Sequence, residues 1–383
     1  MANIIDYLHW RGDLPVCPTA PFNDLDSVCL ARFSYLPLYE LSLSADETVA
    51  SIRDKSLTLE DDSFRRQDRE LLTLMADSTR FSGFAVTDYV KENDPEEEKQ
   101  FAAVTLHLSD SELAISFCGT DSTVYGWKED FNMSFMEEVP AQSAALEYAK
   151  RIFTRYPDKK VRLIGHSKGG NLAVYVFYML SPQEQNRVIH VKNFDGPGFH
   201  DDFLDEVARP TLLNRIFTFL PQDSVFGRIL ERRESYTIVN STEQGVNQHD
   251  VYSWTVHPTS LEEAEGLSDY SNIIATVISK VMYQNSLENR KKYIDGVYNI
   301  VTATSATTTA EFREGFPSNI PTLLKTRNEM SSEEKTLLDQ ITREFGSAFA
   351  ETTAKTQGEK LSHLVQDIGS RITRKSDEEK NNE

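Results

Sequence analysis

Residues 161–180, Val-Arg-Leu-Ile-Gly-His-Ser-Lys-Gly-Gly-Asn-Leu-Ala-Val-Tyr-Val-Phe-Tyr-Met-Leu, run an apolar strand-like segment into Gly165-His166-Ser167-Lys168-Gly169-Gly170 and continue directly as an apolar helix. Two readings fit such a junction. One is an ordinary strand-to-helix turn that contains a serine. The other is a nucleophile elbow, where a serine held on a strained bend needs small flanking residues so that neighbouring backbones do not clash. Gly165, Gly169 and Gly170 supply those small residues. The apolar run before the motif and the helical run after it favour the elbow, with Ser167 as nucleophile.

Around this junction the pattern alternates. Upstream, residues 24–40 and 62–82 carry apolar residues at helical spacing, among them Leu71, Leu72, Leu74, Met75 and Phe81. Three apolar runs follow, "GFAVTDYV", "FAAVTLHL" and "ELAISFCG", separated by the charged "KENDPEEEK" and by "SDS", and they read as a meander of strands. "AQSAALEYAKRIFTRYP" places Ala141, Ala145, Tyr148 and Ile152 on one helical face before the strand "KKVRLIG". Beyond the elbow come "VIHVKNFDG", a helical "DDFLDEVA", "IFTFLP" and "SYTIVN". This order predicts an α/β fold: a mostly parallel sheet with antiparallel N-terminal strands, helices on both faces and a helical C-terminal extension. The expected divisions are a helical lead-in over 1–82, the hydrolase core over 83–260, the extension over 261–372 and a disordered tail over 373–383. In the extension, Leu337, Leu338, Ile341, Phe345, Leu361, Leu364, Val365 and Ile368 mark an apolar stripe after a capping box at Ser331–Glu334.

Composition narrows the function. Forty Lys and Arg against 60 Asp and Glu give a formal charge of −20, which repels phosphate backbones and anionic lipid surfaces, so nucleic acid is not an expected partner. The start, "MANIIDYLHWRGDLP", lacks a basic segment followed by an apolar core, and no stretch of about 18 apolar residues occurs, so neither export nor membrane spanning is expected and the location read from the sequence is cytoplasmic. Cys17, Cys29 and Cys118 are too scattered for a disulfide framework, and no Cys or His pairs stand at metal-ligand spacing, so free thiols, no metal and no cofactor are expected.

A serine nucleophile needs a base, and the base needs a carboxylate to fix its tautomer. In this fold the chain order is serine, acid, histidine. Asp223 in "FTFLPQDSVFG" and His249 in "NSTEQGVNQHDVYSW" both stand in loops after apolar strands and match that order. Asp195 in "NFDGPGF" also follows a strand, but Asp-Gly-Pro-Gly reads as turn chemistry. His257, before Pro258, is the alternative base, and His166 reads as packing under the elbow. An oxyanion hole takes one N–H from the residue after the nucleophile, here Lys168, and a second from an earlier strand end, here the Gly119-Thr120-Asp121-Ser122 loop, where the Thr120 N–H or hydroxyl faces the developing charge. A polar loop capped by its own hydroxyls is the competing reading. Trp127 and Phe131, with Phe199, Phe203 and Leu204, read either as core or as an acyl pocket or lid.

"FCGTDSTVYGWKEDFN" and "LIGHSKGGNLAVYV", followed by "FDGPGF", "PQDSVFG" and "QHDVYSW", resemble the Mbeg-like family of bacterial proteins, a domain of unknown function in the class 3 lipase-like branch of the α/β hydrolases. The resemblance runs from about residue 20 to beyond 300 and implies a Ser-Asp-His triad at Ser167, Asp223 and His249, with an oxyanion strand end at Gly119 and Thr120. Related lipases carry Phe-Arg-Gly-Thr there, whereas this chain has Cys118 for the arginine, read as a buried thiol. Lys168 stands where many lipases have an apolar residue and reads as one half of a surface ion pair with the acids of "WKEDF". The resulting expectation is a serine esterase or lipase acting on a small-molecule or lipid ester through an acyl-enzyme. The contrasting expectation is a catalytically silent hydrolase fold kept as a binding or scaffold protein.

Overall fold

A computed structural model describes the chain except residues 45–46, 61–65, 122, 307–308 and 381–383, and without the side chains of 66, 309–310, 313, 316–317 and 357–380. Eight strands form one sheet in sequential order: β1 (Glu47–Thr48), β2 (Ala85–Asp94), β3 (Lys99–His107), β4 (Glu112–Phe117), β5 (Lys160–His166), β6 (Val188–Phe194), β7 (Ile216–Pro221) and β8 (Tyr236–Val239). The first four pair antiparallel and β4 through β8 pair parallel. The charged "KENDPEEEK" stretch, read as a loop, supplies strand residues at both ends, because β2 and β3 stay paired out to Asp94 and Lys99.

Helices connect and cover the strands: α1 (Ile4–Arg11), α2 (Asp24–Phe33), α3 (Val49–Ser56), α4 (Arg66–Asp77), α5 (Val124–Asn132), α6 (Pro140–Arg155), α7 (Lys168–Met179), α8 (Pro182–Gln185), α9 (Asp201–Val207) and α10 (Pro210–Leu213). Side chains alternate along a strand, so each parallel strand serves two cores. In β5, Leu163 faces a core with α6 and α7, while Ile164 faces a core with α1 to α4. The N-terminal helices therefore cover the face that the crossover helices leave open, and residues 1–82 share a core with the sheet.

Two buried ion pairs lock that cover in place. Arg32 binds Asp68 at 2.7 Å, and Tyr252 donates to the same carboxylate. Arg80 binds Asp26 at 2.5 Å, and Tyr7 donates to it at 2.6 Å. A buried charge left without its partner costs several kcal/mol, so the first pair fixes α2 against α4 and the second fixes α2 against the turn after α4.

The C-terminal part consists of α11 (Asp269–Gln284), α12 (Leu287–Thr302), α13 (Thr309–Glu329) and α14 (Ser332–Lys380). Ile341 and Ala348 of α14 pack on Val277 and Val281 of α11. The side chains of Leu361, Leu364, Val365 and Ile368 lie outside the described residues, and α14 takes in most of the segment read as a tail. Helix α12 docks on α5, where Lys128 meets Asp295 at 2.9 Å and its ammonium lies 4.6 Å from the Tyr298 ring centroid. No helix among the described residues is long and apolar enough to cross a membrane.

Candidate active site

Active sites of open parallel sheets lie beyond the carboxyl ends of the strands, and the candidate residues gather there. Ser167 sits between β5 and α7 with φ 58° and ψ −133°, a left-handed conformation that an L-residue adopts only when its surroundings impose it. The surroundings are visible. Its N–H donates to the Phe194 carbonyl of β6 at 2.9 Å, and its carbonyl accepts from the Gly170 N–H at 2.9 Å. A Cβ at Gly165 would lie 2.0 Å from the Gly169 carbonyl oxygen, and one at Gly169 would lie 2.1 Å from that of Phe117. Only glycine permits so tight a bend, and the bend leaves the Ser167 side chain at the N-terminus of α7, where helix N–H groups have no intrahelical partner.

His249 ends a short 3-10 turn, Gly245–His249, and its Nδ1 lies 2.6 Å from Oδ2 of Asp195. The carboxylate accepts at that distance, so Nδ1 carries a proton, and in the neutral imidazole Nε2 then holds the lone pair. Asp195 is fully buried, also with positive φ (53°), and its other oxygen accepts from the Ser224 hydroxyl at 2.5 Å and the Gly227 N–H at 3.2 Å. The His249 ring is held between Phe226 and His166, with ring centroids at 4.2 and 4.6 Å. His166, next to Ser167, donates from Nε2 to the His249 carbonyl at 2.8 Å, which leaves its Nδ1 to accept from the Tyr35 hydroxyl at 3.0 Å. The residue read as packing under the elbow thus fastens the histidine loop to it.

The carboxylate on His249 is Asp195, not the expected Asp223. Asp223 binds the loop that carries His249: its N–H donates to Gln248 at 2.7 Å, and its carboxylate accepts from the Gly245 N–H at 2.6 Å and from the Ser268 hydroxyl. The physical reason lies in strand order. Asp195 follows β6, which pairs with the nucleophile strand β5, whereas Asp223 follows β7, one strand further out. His257 is exposed in a turn closed by its N–H to the Ser260 carbonyl at 2.8 Å.

Across the strand end from Ser167, a Cβ at Gly119 would lie 2.0 Å from the Tyr35 hydroxyl oxygen and 2.6 Å from the His166 carbonyl oxygen. The missing side chain lets that loop close on the elbow. Thr120 follows, and its hydroxyl donates to Asp130 of α5 at 2.6 and 2.7 Å, so the proton offered by that side chain is already engaged; its N–H makes no hydrogen bond among the described residues. Ser122, the last residue of the expected oxyanion loop, lies outside the described residues. Burial pushes the Asp130 carboxyl up to about 6 against the pull of Lys168 and the Thr120 hydrogen bond.

Lys168 does pair with an acid of the "WKEDF" segment, but in the interior. Its Nζ is bound to Glu129 at 2.7 Å and to the carbonyl and side-chain oxygens of Gln100 at 2.8 and 2.7 Å, and both charged side chains are buried. Burial works to lower the ammonium's pKa, but Glu129 and Asp130 outweigh it and hold it above its ordinary value. The pair ties the first residue of α7 to α5, so the serine turn and the Thr120 loop share one support. Cys118 is a buried thiol pushed up to about 12 by burial. Of the aromatic set, Phe199 and Leu204 are core, Phe203 stacks on Tyr175 at 5.7 Å, and Trp127 and Phe131 meet edge to face at 4.7 Å on α5 with Phe131 exposed.

A parallel sheet with an antiparallel flank, a strained serine at a helix N-terminus, and a buried aspartate paired with a partly buried histidine at the same end of the strands form an arrangement of the α/β-hydrolase type. The chain belongs to the Mbeg1-like family, whose pattern matches residues 75–299. No curated protein matches the chain. Among solved structures it is similar to a triacylglycerol lipase described by its serine protease triad, at 12% identity over 62% of this chain and 80% of that one, with a TM-score of 0.37. A Rhizomucor miehei lipase propeptide complex shares 14% identity over 70% of this chain and 78% of its own, with a TM-score of 0.38. A fungal lipase–inhibitor complex shares 12% over 74% and 94%, with a TM-score of 0.40.

Proposed function

We propose that this protein is a serine hydrolase that cleaves carboxylic esters through an acyl-enzyme. Ser167 attacks the ester carbonyl while Nε2 of His249 takes the hydroxyl proton; collapse of the tetrahedral species breaks the C–O bond, and the same proton passes to the departing alcohol. Water then repeats the sequence on the acyl-Ser167 ester and releases the acid. Asp195 fixes the histidine tautomer and stabilises the imidazolium that forms. The N–H groups of Lys168 and Thr120 take the oxyanion, a role that backbone donors fill without reorganising.

The observation that carries the reading is the 2.6 Å Asp195–His249 contact beside a serine forced to φ 58°. A merely structural turn has no use for a buried carboxylate that sets an imidazole's free nitrogen. The test is pre-steady-state release of p-nitrophenol from short and medium acyl esters. The reading expects a burst of about one equivalent per chain, absent in Ser167→Ala. No burst and no turnover across the panel with folded protein would favour a hydrolase fold used for binding.

A further inference from the structure

A cavity of about 560 Å³ lies where the C-terminal helices α11 and α12 meet the loops that lead away from the site. Its volume falls within the range of small-ligand pockets, about 300–1,000 Å³. Three of its walls continue site segments: residues 199–203 follow Asp195, residues 228–231 follow Phe226, and Phe135 follows α5. A small void shares Phe199, Phe203 and Leu230 with it and is lined also by Met133, Gln142 and Asn171, and Asn171 lies on α7, one helical turn after Ser167.

The lining has two characters. Phe135, Phe199, Phe203, Ile278, Met282 and Leu287 make an apolar and aromatic surface, and Leu287 is 52% exposed at the mouth. Five carboxylates stand on the same walls against two guanidiniums. Of the five, Asp201 is paired with Arg233, whereas Glu137, Asp202, Glu206 and Glu231 make no ion pair among the described residues. Arg290 is spent on the Asn285 and Ser134 carbonyls. Arg228 has one long contact, at 3.4 Å, to the Tyr236 hydroxyl. A wall of aromatic faces with an excess of unpaired carboxylates attracts a cation on an apolar body and repels an anion.

Resting on the hydrolase reading, we propose that this cavity selects the substrate class: carboxylic esters that carry an ammonium or quaternary ammonium group on an apolar chain. The α11–α12 wall makes the cavity a joint product of the hydrolase core and the extension, which gives those helices a part in choosing the substrate.

Binding can be measured without turnover in full-length Ser167→Ala, by calorimetry with decyltrimethylammonium, decanoate and decyl maltoside below their micelle concentrations. Expected is one site for the cation, at least about ten-fold tighter than for the anion or the neutral compound. Because the whole chain carries −20 and attracts cations generally, the charge-neutral variant Met282→Trp, which fills the cavity, must abolish that site. Glu206→Gln with Glu231→Gln should weaken it about ten-fold. Equal affinity for the three probes, tighter anion binding, or cation binding untouched by Met282→Trp would overturn the proposal. Fluorophosphonate labelling of the wild-type chain separates the two readings: labelling without cation preference sinks only the cavity proposal, and cation binding without labelling leaves the cavity as a binding site and sinks the hydrolase.

Discussion

Exchanging the two aspartates' amides separates the orienting carboxylate from the loop-building one. In Asp195→Asn the shape is kept, but the imidazolium formed when His249 takes the serine proton loses a full negative charge. The contact is 2.6 Å between Nδ1 and Oδ2, which puts the two charge centres about 4 Å apart. At an effective dielectric of about 20 that charge is worth about 4 kcal/mol, or about 10³ in rate. The amide also presents an N–H to Nδ1, which favours the tautomer with the proton on Nε2, so the loss adds to the electrostatic one. Asp223→Asn removes charge from the bonds to the Gly245 N–H and the Ser268 hydroxyl, which support the histidine loop from outside. Charge-assisted bonds of this kind contribute about 1.5–3 kcal/mol each to stability. Its rate should therefore fall by less than about ten-fold while its unfolding midpoint drops. The assay is the second-order rate of Ser167 modification by a fluorophosphonate, followed by intact mass, alongside urea unfolding. Equal rate losses in both variants, or a larger loss in Asp223→Asn, would refute the assignment of the acid.

Glu129→Gln should destabilise the chain by about 3–5 kcal/mol in urea unfolding, because Lys168 is left buried without its countercharge; restoration by the further change Lys168→Met is expected, and an unchanged midpoint in the single variant would contradict the buried pair. Asp130 gives a pH signature. Its carboxyl is raised from 3.8 to about 6 in the folded chain, so its contribution favours folding fully below the unfolded value and is lost as pH rises through about 6. Between pH 5.5 and 8, above the isoelectric point near 4.9, the wild type should lose about 1 kcal/mol of stability relative to Asp130→Asn; a difference that stays constant with pH would show that the group is not raised.

The sheet was legible because strands and helices announce themselves by period. Every long strand from β2 to β8 falls on an apolar run picked out by sequence, and the elbow is carried by glycines whose absent side chains the backbone demands. Strand β1 was not legible, since two residues make no period. Nor was the placement of the N-terminal helices, because a helix's apolar stripe says that it is covered and not by what. The choice between Asp195 and Asp223 turns on which strand end lies next to β5. Both aspartates follow strands and both precede His249, so order along the chain does not distinguish them. The chain bends at Asp195, with positive φ, and no turn is assigned to Gly196-Pro197-Gly198; the bend is what aims the Asp195 carboxylate. One available signal was overlooked: in a sequentially ordered parallel sheet the strand after the nucleophile strand is its neighbour. The interior position of Lys168 was hidden for a different reason, since a lysine's charge argues for the surface until a buried partner is known, and Glu129 differs from its acidic neighbours only by the helix face it occupies.

The central claim is that Ser167 is a nucleophile activated by His249. Its most direct test is intact-mass and peptide-mapping analysis of the folded wild-type chain after exposure to a fluorophosphonate. The account predicts a single adduct, on Ser167, that disappears in Ser167→Ala and forms far more slowly in His249→Ala. A folded chain that takes up no adduct, or one that is modified equally well without the Ser167 hydroxyl, would contradict it.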